Sequence, residues 1–181
     1  MEKRIENSTN RIKRIVLIGP ESTGKTTLTQ QLAEHYQTVW LPEYAREYVE
    51  NLNRPYTFDD VEIIARHQVE LEKQLKQQAN KYFFLDTDLI ITKIWFDVVY
   101  QNCPKWIIDE IETTPRFLYL LCYPDIEWQP DKSRENGGEM RVTLYNMYKS
   151  ELESFGLTYK VIIGKGDERL NNCVKLIENF V

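Results

Sequence analysis

The chain has 181 residues, 42% of them hydrophobic and 28% charged, with a formal net charge of −5. That balance suits a globular protein with a core of ordinary size, and its acidity offers no phosphate-neutralising surface, so no nucleic-acid partner is expected. No apolar run approaches the roughly 20 residues of a membrane-spanning helix, the first residues lack an apolar signal core, and the three cysteines Cys103, Cys122 and Cys173 have no metal-like spacing, so a cytoplasmic protein with reduced thiols and no membrane partner is expected.

Residues 1–13 are polar and of mixed charge and read as a flexible N-terminal leader; residues 14–181 read as one domain. Ile15 to Ile18 is a continuous apolar run, as expected of a strand buried on both faces. Gly19-Pro20-Glu21-Ser22-Thr23-Gly24-Lys25-Thr26 follows and fits G-x-x-x-x-G-K-[ST]. A helical pattern then runs from Thr27 to Tyr36. A strand before the motif and a helix after it is the context that identifies a phosphate-binding loop.

A short strand is expected over Val39 to Leu41, then a helix from Glu43 to Leu52. Thr57 is an N-cap, and Asp59-Asp60 suit the positive first turn of a long helix from Phe58 to Ala79. Tyr82 to Leu85 reads as a strand, Leu89 to Tyr100 as a helix and Lys105 to Glu112 as a shorter one. A fourth strand covers Phe117 to Cys122. A polar loop from Trp128 to Glu139 precedes a helix from Met140 to Phe155, stopped at Gly156. Tyr159 to Ile163 and Asp167 to Phe180 complete the pattern as strand and helix. Strands alternating with helices predict an α/β fold: three layers, with a five-stranded, mainly parallel sheet between helices. Ligands bind such sheets beyond the carboxyl ends of the strands, where every polar motif here falls.

The loop predicts a nucleoside triphosphate. Gly19 and Gly24 permit a sharp turn and close approach to phosphate oxygens, and backbone N–H groups of Glu21, Ser22, Thr23 and Thr27 contribute to an anion cradle. Lys25 can reach the β- and γ-phosphates of ATP, and Thr26 can ligate Mg²⁺. Asp86-Thr87-Asp88 lies directly after a buried strand, where a second magnesium-side acid is expected. Capping of the next helix accounts for one of the two acids; Asp86 is the better metal candidate, and Asp88 is left to cap the helix, hold a metal water or meet substrate. Pro42-Glu43-Tyr44-Ala45-Arg46 places a carboxylate after the second strand, where Glu43 could take a proton from a substrate hydroxyl and Arg46 could hold substrate or phosphate. Glu43, Arg46 and Glu47 also fit a solvated helix face. Arg134, and beside it Arg141, belong to a segment of about residues 128–141 that could close over a transferring phosphoryl group.

The blocks G-P-E-S-T-G-K-T, P-E-Y-A-R-E, F-L-D-T-D and E-W-x-x-D-x-x-R, in that order over about residues 15–177, resemble the ribosylnicotinamide kinase domain of NadR-like proteins. The resemblance implies a P-loop kinase with a small lid over about 128–141. Its reaction would be phosphorylation of nicotinamide riboside by ATP to nicotinamide mononucleotide, a route to NAD. It implies Gly19, Gly24, Lys25 and Thr26 for phosphate, Glu43, Tyr44 and Arg46 on the substrate side, Asp86 and Asp88 as the acidic block, and Trp128, Asp131 and Arg134 in the lid. Lys132-Ser133 stands where the family pattern has Gly-Leu. Nicotinamide riboside carries a cationic ring suited to an aromatic face; Trp128 is the first candidate, with Tyr123, Trp95 and Tyr44 behind it. The histidine pair H-x-G-H of a nucleotidyltransferase is missing, so no adenylyltransferase activity is expected. A kinase of another nucleoside and an ATP-gated switch are the competing readings. Oligomeric state, including a homo-oligomer, is left open.

Overall fold

The computed structural model describes residues 12–130 and 136–180. Five strands form one sheet: β1 (Lys13–Ile18), β2 (Trp40–Leu41), β3 (Tyr82–Asp86), β4 (Leu118–Cys122) and β5 (Tyr159–Ile162). Their order is β2-β3-β1-β4-β5, and every pairing is parallel. The helices are α1 (Lys25–His35), α2 (Tyr44–Asn51), α3 (Phe58–Leu75), α4 (Leu89–Tyr100), α5 (Lys105–Thr113), α6 (Glu139–Ser154) and α7 (Gly166–Phe180). The three-layer α/β architecture is the expected one.

The strand sequences explain the layering. Val16 and Ile18 face one cluster with Phe83, Leu85, Tyr119 and Leu121, covered by α3, α4, α5 and α6. Ile15 and Leu17 face the other with Phe84, Leu118 and Leu120, covered by α1 and α7. A strand buried on both faces has no polar positions to alternate, which is why Ile15 to Ile18 reads as an unbroken apolar run.

Local signals set the helix ends. Thr57 and Asp60 form a reciprocal capping box at the start of α3. That helix tightens into a 3₁₀ turn over Lys76–Gln78, so it ends earlier than its polar tail suggests. The expected strand over Val39 to Leu41 shortens to two residues at the sheet edge, where one neighbour supplies all the pairing. Because β3 and β4 both flank β1, the ends of β1 and β3 and the start of α1 lie together.

Candidate active site

The phosphate loop is shaped by close approach. A Cβ added to Gly19, at φ +149°, would sit 2.7 Å from the Cys122 carbonyl oxygen at the end of β4. Gly24, at φ +74°, is the N-cap of α1, so Lys25, Thr26 and Thr27 form the first helical turn with its free N–H groups. Thr23 is buried and donates to the Pro20 carbonyl at 2.9 Å; the Lys25 ammonium donates to the same oxygen at 3.1 Å.

The loop is also held from outside. Arg141, at the start of α6, is 7% exposed. It donates to the carbonyls of Glu21 and Ser22, each at 3.1 Å. Asn136 donates its backbone N–H and its amide to the two Glu21 carboxylate oxygens at 3.0 and 3.1 Å. The Gln129 N–H donates to Ser22 Oγ at 3.1 Å.

Asp86, at the end of β3, accepts from the Thr26 hydroxyl at 2.5 Å. It is 1% exposed, and its other oxygen has no partner among the described residues. Burial raises its pKa, opposed by Lys25 and the Thr26 bond. Thr87, next in sequence, has φ +88° and donates its N–H to the Leu17 carbonyl at 3.0 Å. A buried anionic oxygen without a donor, beside a hydroxyl, suits a hard oxygen-seeking cation, so Thr26 and Asp86 fit magnesium.

Glu43 is the N-cap residue of α2 and half-buried. Burial raises its pKa; Lys25 and Arg46 oppose this, while Asp86 and Glu21 add to it. Glu43, Arg46, Lys25 and Thr26 line one cavity of about 310 Å³ with Gly19 and residues 21–24. Thr27 and Asn136 add polar groups, and the other lining residues are apolar and aromatic: Ala45, Val49, Tyr56, Ile91, Ile94, Trp95, Val98, Val99, Leu144 and Tyr148. The Tyr56 and Trp95 rings meet edge to face with centroids 4.9 Å apart. The cavity therefore has a polar end at the phosphate loop and an aromatic end beyond Glu43.

Several expected residues lie elsewhere. Asp88 is buried and caps α4 by accepting from the Ile90 N–H at 2.9 Å. Its other oxygen accepts from the Tyr119 hydroxyl at 2.5 Å and from Arg116 at 3.3 Å. Its lone pairs are committed inside the fold, and it does not line the cavity. The Tyr44 ring packs on His67, centroids 4.1 Å apart, outside the cavity wall. Trp128 packs on Gly137, and Tyr123 packs edge to face on Tyr145; neither lines the cavity. Of the aromatic candidates only Trp95 does. Asp131 and Arg134 lie outside the described residues. The sequence reading missed Tyr56, Asn136 and Tyr148. Their only signal was position near motifs, which does not tell a cavity wall from a core.

The AAA_28 family, an AAA domain, matches residues 14–169. The chain belongs to that family. Its sequence is also homologous to the trifunctional NAD biosynthesis/regulator protein NadR of Escherichia coli K12, 26% identical over 179 residues, which is 94% of this chain and 43% of NadR. The Salmonella typhimurium LT2 NadR is 25% identical over 177 residues, with the same coverage. The chain thus spans less than half the length of these relatives. Among solved structures, a NadR protein in complex with NR superposes with a TM-score of 0.75 at 23% identity, covering 93% of this chain and 50% of that one. Deoxyadenosine kinase from M. mycoides, with products bound, superposes at 0.64 and 14% identity, covering 92% and 99%. The AAA-domain chain therefore has a P-loop fold of the kind found in small kinases, and its resemblance to NadR-like proteins holds over most of its length. No helix among the described residues is long and apolar enough to cross a membrane.

Proposed function

We propose that this chain is a kinase that transfers the γ-phosphoryl group of ATP to the 5′-hydroxyl of nicotinamide riboside, giving nicotinamide mononucleotide. The observation that carries the reading is the two-ended cavity. Lys25 and Thr26 define its phosphate end, with the buried Asp86 carboxylate bonded behind Thr26; Glu43 and the aromatic residues line the same space. Homology to NadR supports the choice of acceptor.

In this reading the phosphate loop binds the triphosphate through backbone N–H groups and the α1 N-terminus. Lys25 leaves the Pro20 carbonyl for a phosphate oxygen and balances charge there. Thr26 and Asp86 would hold magnesium, which when bound neutralises phosphate charge. Glu43 accepts the hydroxyl proton, its raised pKa bringing it nearer the working pH of a base. Arg46, lining the same cavity, holds the acceptor or the transferring group. The Tyr56–Trp95 corner receives the cationic pyridinium ring, where stacking and cation–π attraction add. The lid roles of Arg134 and Asp131 rest on the sequence resemblance.

A second reading is favoured by the likeness to deoxyadenosine kinase over 99% of that chain. The same phosphate end and base would then serve a neutral nucleoside. ADP release measured with nicotinamide riboside, adenosine, deoxyadenosine and thymidine separates the two. Turnover with nicotinamide riboside well above the others is expected. Turnover confined to the neutral nucleosides would replace the first reading with the second.

A further inference from the structure

Tyr148 lies on α6, two turns beyond Arg141, which pins that helix to the phosphate loop. Seven residues of helix put it about 10 Å along the axis from that anchor. One turn further on, Glu151 binds the Lys93 ammonium of α4 at 2.9 Å. Tyr148 is thus held on the cavity wall between two fixed points, with Leu144 of the same helix and Ile91, Ile94 and Trp95 of α4 lining the same space. It is 6% exposed.

Its hydroxyl is the unusual feature. Glu43 and Glu21 both act on it electrostatically, and all three residues line the same cavity; no hydrogen bond holds the hydroxyl among the described residues. The Glu43 carboxylate is likewise without one. A donor and an acceptor, both unsatisfied, line a single cavity. The Tyr148 hydroxyl is not one of the fully buried unpartnered atoms; Tyr148 lines the cavity, where a ligand can supply a partner. Burial and the two carboxylates push the phenol well above its ordinary pKa, so it stays a donor.

We propose that Tyr148 is a substrate-binding residue of the acceptor site, its hydroxyl donating a hydrogen bond to a sugar oxygen of the bound nucleoside opposite Glu43. This rests on the kinase reading above. The aromatic corner takes the base and Glu43 the reacting hydroxyl, so the remaining polar surface of a nucleoside is its sugar, and Tyr148 is the uncommitted donor beside Glu43. A sugar lacking that oxygen leaves the phenol unpaired, which makes Tyr148 a determinant of riboside against deoxyriboside choice.

The test is Tyr148→Phe, which keeps the ring and its packing. Expected is a rise of about tenfold in the KM for nicotinamide riboside, the loss of one neutral hydrogen bond. The KM for ATP should hold, and the thermal midpoint should hold or rise, because no protein partner is orphaned. With the 2′- or 3′-deoxy analogue that lacks the bonded oxygen, wild type and variant should become equal. An unchanged riboside KM, or equal rises for ATP and riboside with a lowered midpoint, overturns the inference and leaves the kinase reading standing. Failure of the unaltered chain to phosphorylate any nucleoside sinks the kinase reading and this assignment with it.

Discussion

The Thr26 hydroxyl donates a 2.5 Å hydrogen bond to Asp86 Oδ2, joining the first turn of α1 to the end of β3 across 60 residues of sequence. That bond leaves the other Asp86 oxygen bare in a buried setting. The carboxylate is kept there against its desolvation cost, offset in part by Lys25.

Removing the ammonium tests this arrangement first. Lys25→Ala is expected to lower turnover by several powers of ten while the fold survives, since among the described residues the Lys25 ammonium makes one hydrogen bond, to the Pro20 carbonyl. Steady-state kinetics and circular dichroism measure the two halves. Substantial residual turnover would contradict the role of Lys25.

One half-buried acid, Glu43, and one buried acid, Asp86, make stability depend on pH with a definite sign. Folding raises the pKa of Glu43 and Asp86, so the folded state binds their protons more tightly than the unfolded state. Their favourable contribution is complete below the ordinary carboxylate range and is lost as pH rises through the raised values. Glu43→Gln removes one of the two. Its thermal midpoint in ligand-free protein should gain on wild type as pH rises from mildly acid to neutral. A difference that is flat with pH, or that runs the other way, would place Glu43 in a solvated setting.

Asp88 separates structure from chemistry. Asp88→Ala removes the α4 cap, worth about 1 kcal/mol, and leaves buried Arg116 without its ion-pair partner, worth roughly 3–5 kcal/mol. A large fall in thermal midpoint is expected. Normal stability with an acceptor-specific KM defect would restore the substrate role that the sequence suggested.

The fold was legible because burial on both strand faces and the phosphate-loop glycines leave unambiguous marks: Ile15 to Ile18, Gly19 and Gly24. The site was legible wherever a residue had to follow a strand. Glu43 and Asp86 were singled out in this way, and so was Asp88, whose side chain turns inward to cap α4 and meet Tyr119. Position after a strand fixes the edge of the sheet, not the direction of the side chain. The first aromatic choice, Trp128, failed for a related reason, although Trp95, a later candidate, lines the cavity. Trp128 stands in a polar stretch, yet its ring packs on Gly137, while Trp95 sits in an apolar helix that reads as core and lines the cavity. A helix such as α4 can be apolar all round because one side faces the sheet and another faces a ligand space.

Arg141 offers a test away from the reacting atoms. Arg141→Ala deletes both donors to the Glu21 and Ser22 carbonyls. The loss should weaken ATP binding by about 1–3 kcal/mol through a looser phosphate loop. Isothermal titration with a non-hydrolysable ATP analogue reads this directly. Unchanged affinity would mean that the loop is set by its glycines and the Asn136 and Gln129 bonds, without Arg141.

Gly19→Ala tests the contribution of the glycines. The added Cβ meets backbone rather than a movable side chain, and φ +149° is unfavourable for alanine. A loss of about 1–3 kcal/mol in stability, with impaired ATP binding, is expected from denaturation and titration. A neutral substitution would show that β4 and the loop can separate.

The central claim is that Glu43 takes the acceptor's proton at the mouth of the phosphate cradle. Single-turnover kinetics of Glu43→Gln with nicotinamide riboside, beside its ATP affinity, tests it most directly. A fall of 100-fold or more in the rate of phosphoryl transfer at nearly unchanged ATP affinity is predicted. A wild-type transfer rate with only ATP affinity altered would contradict it.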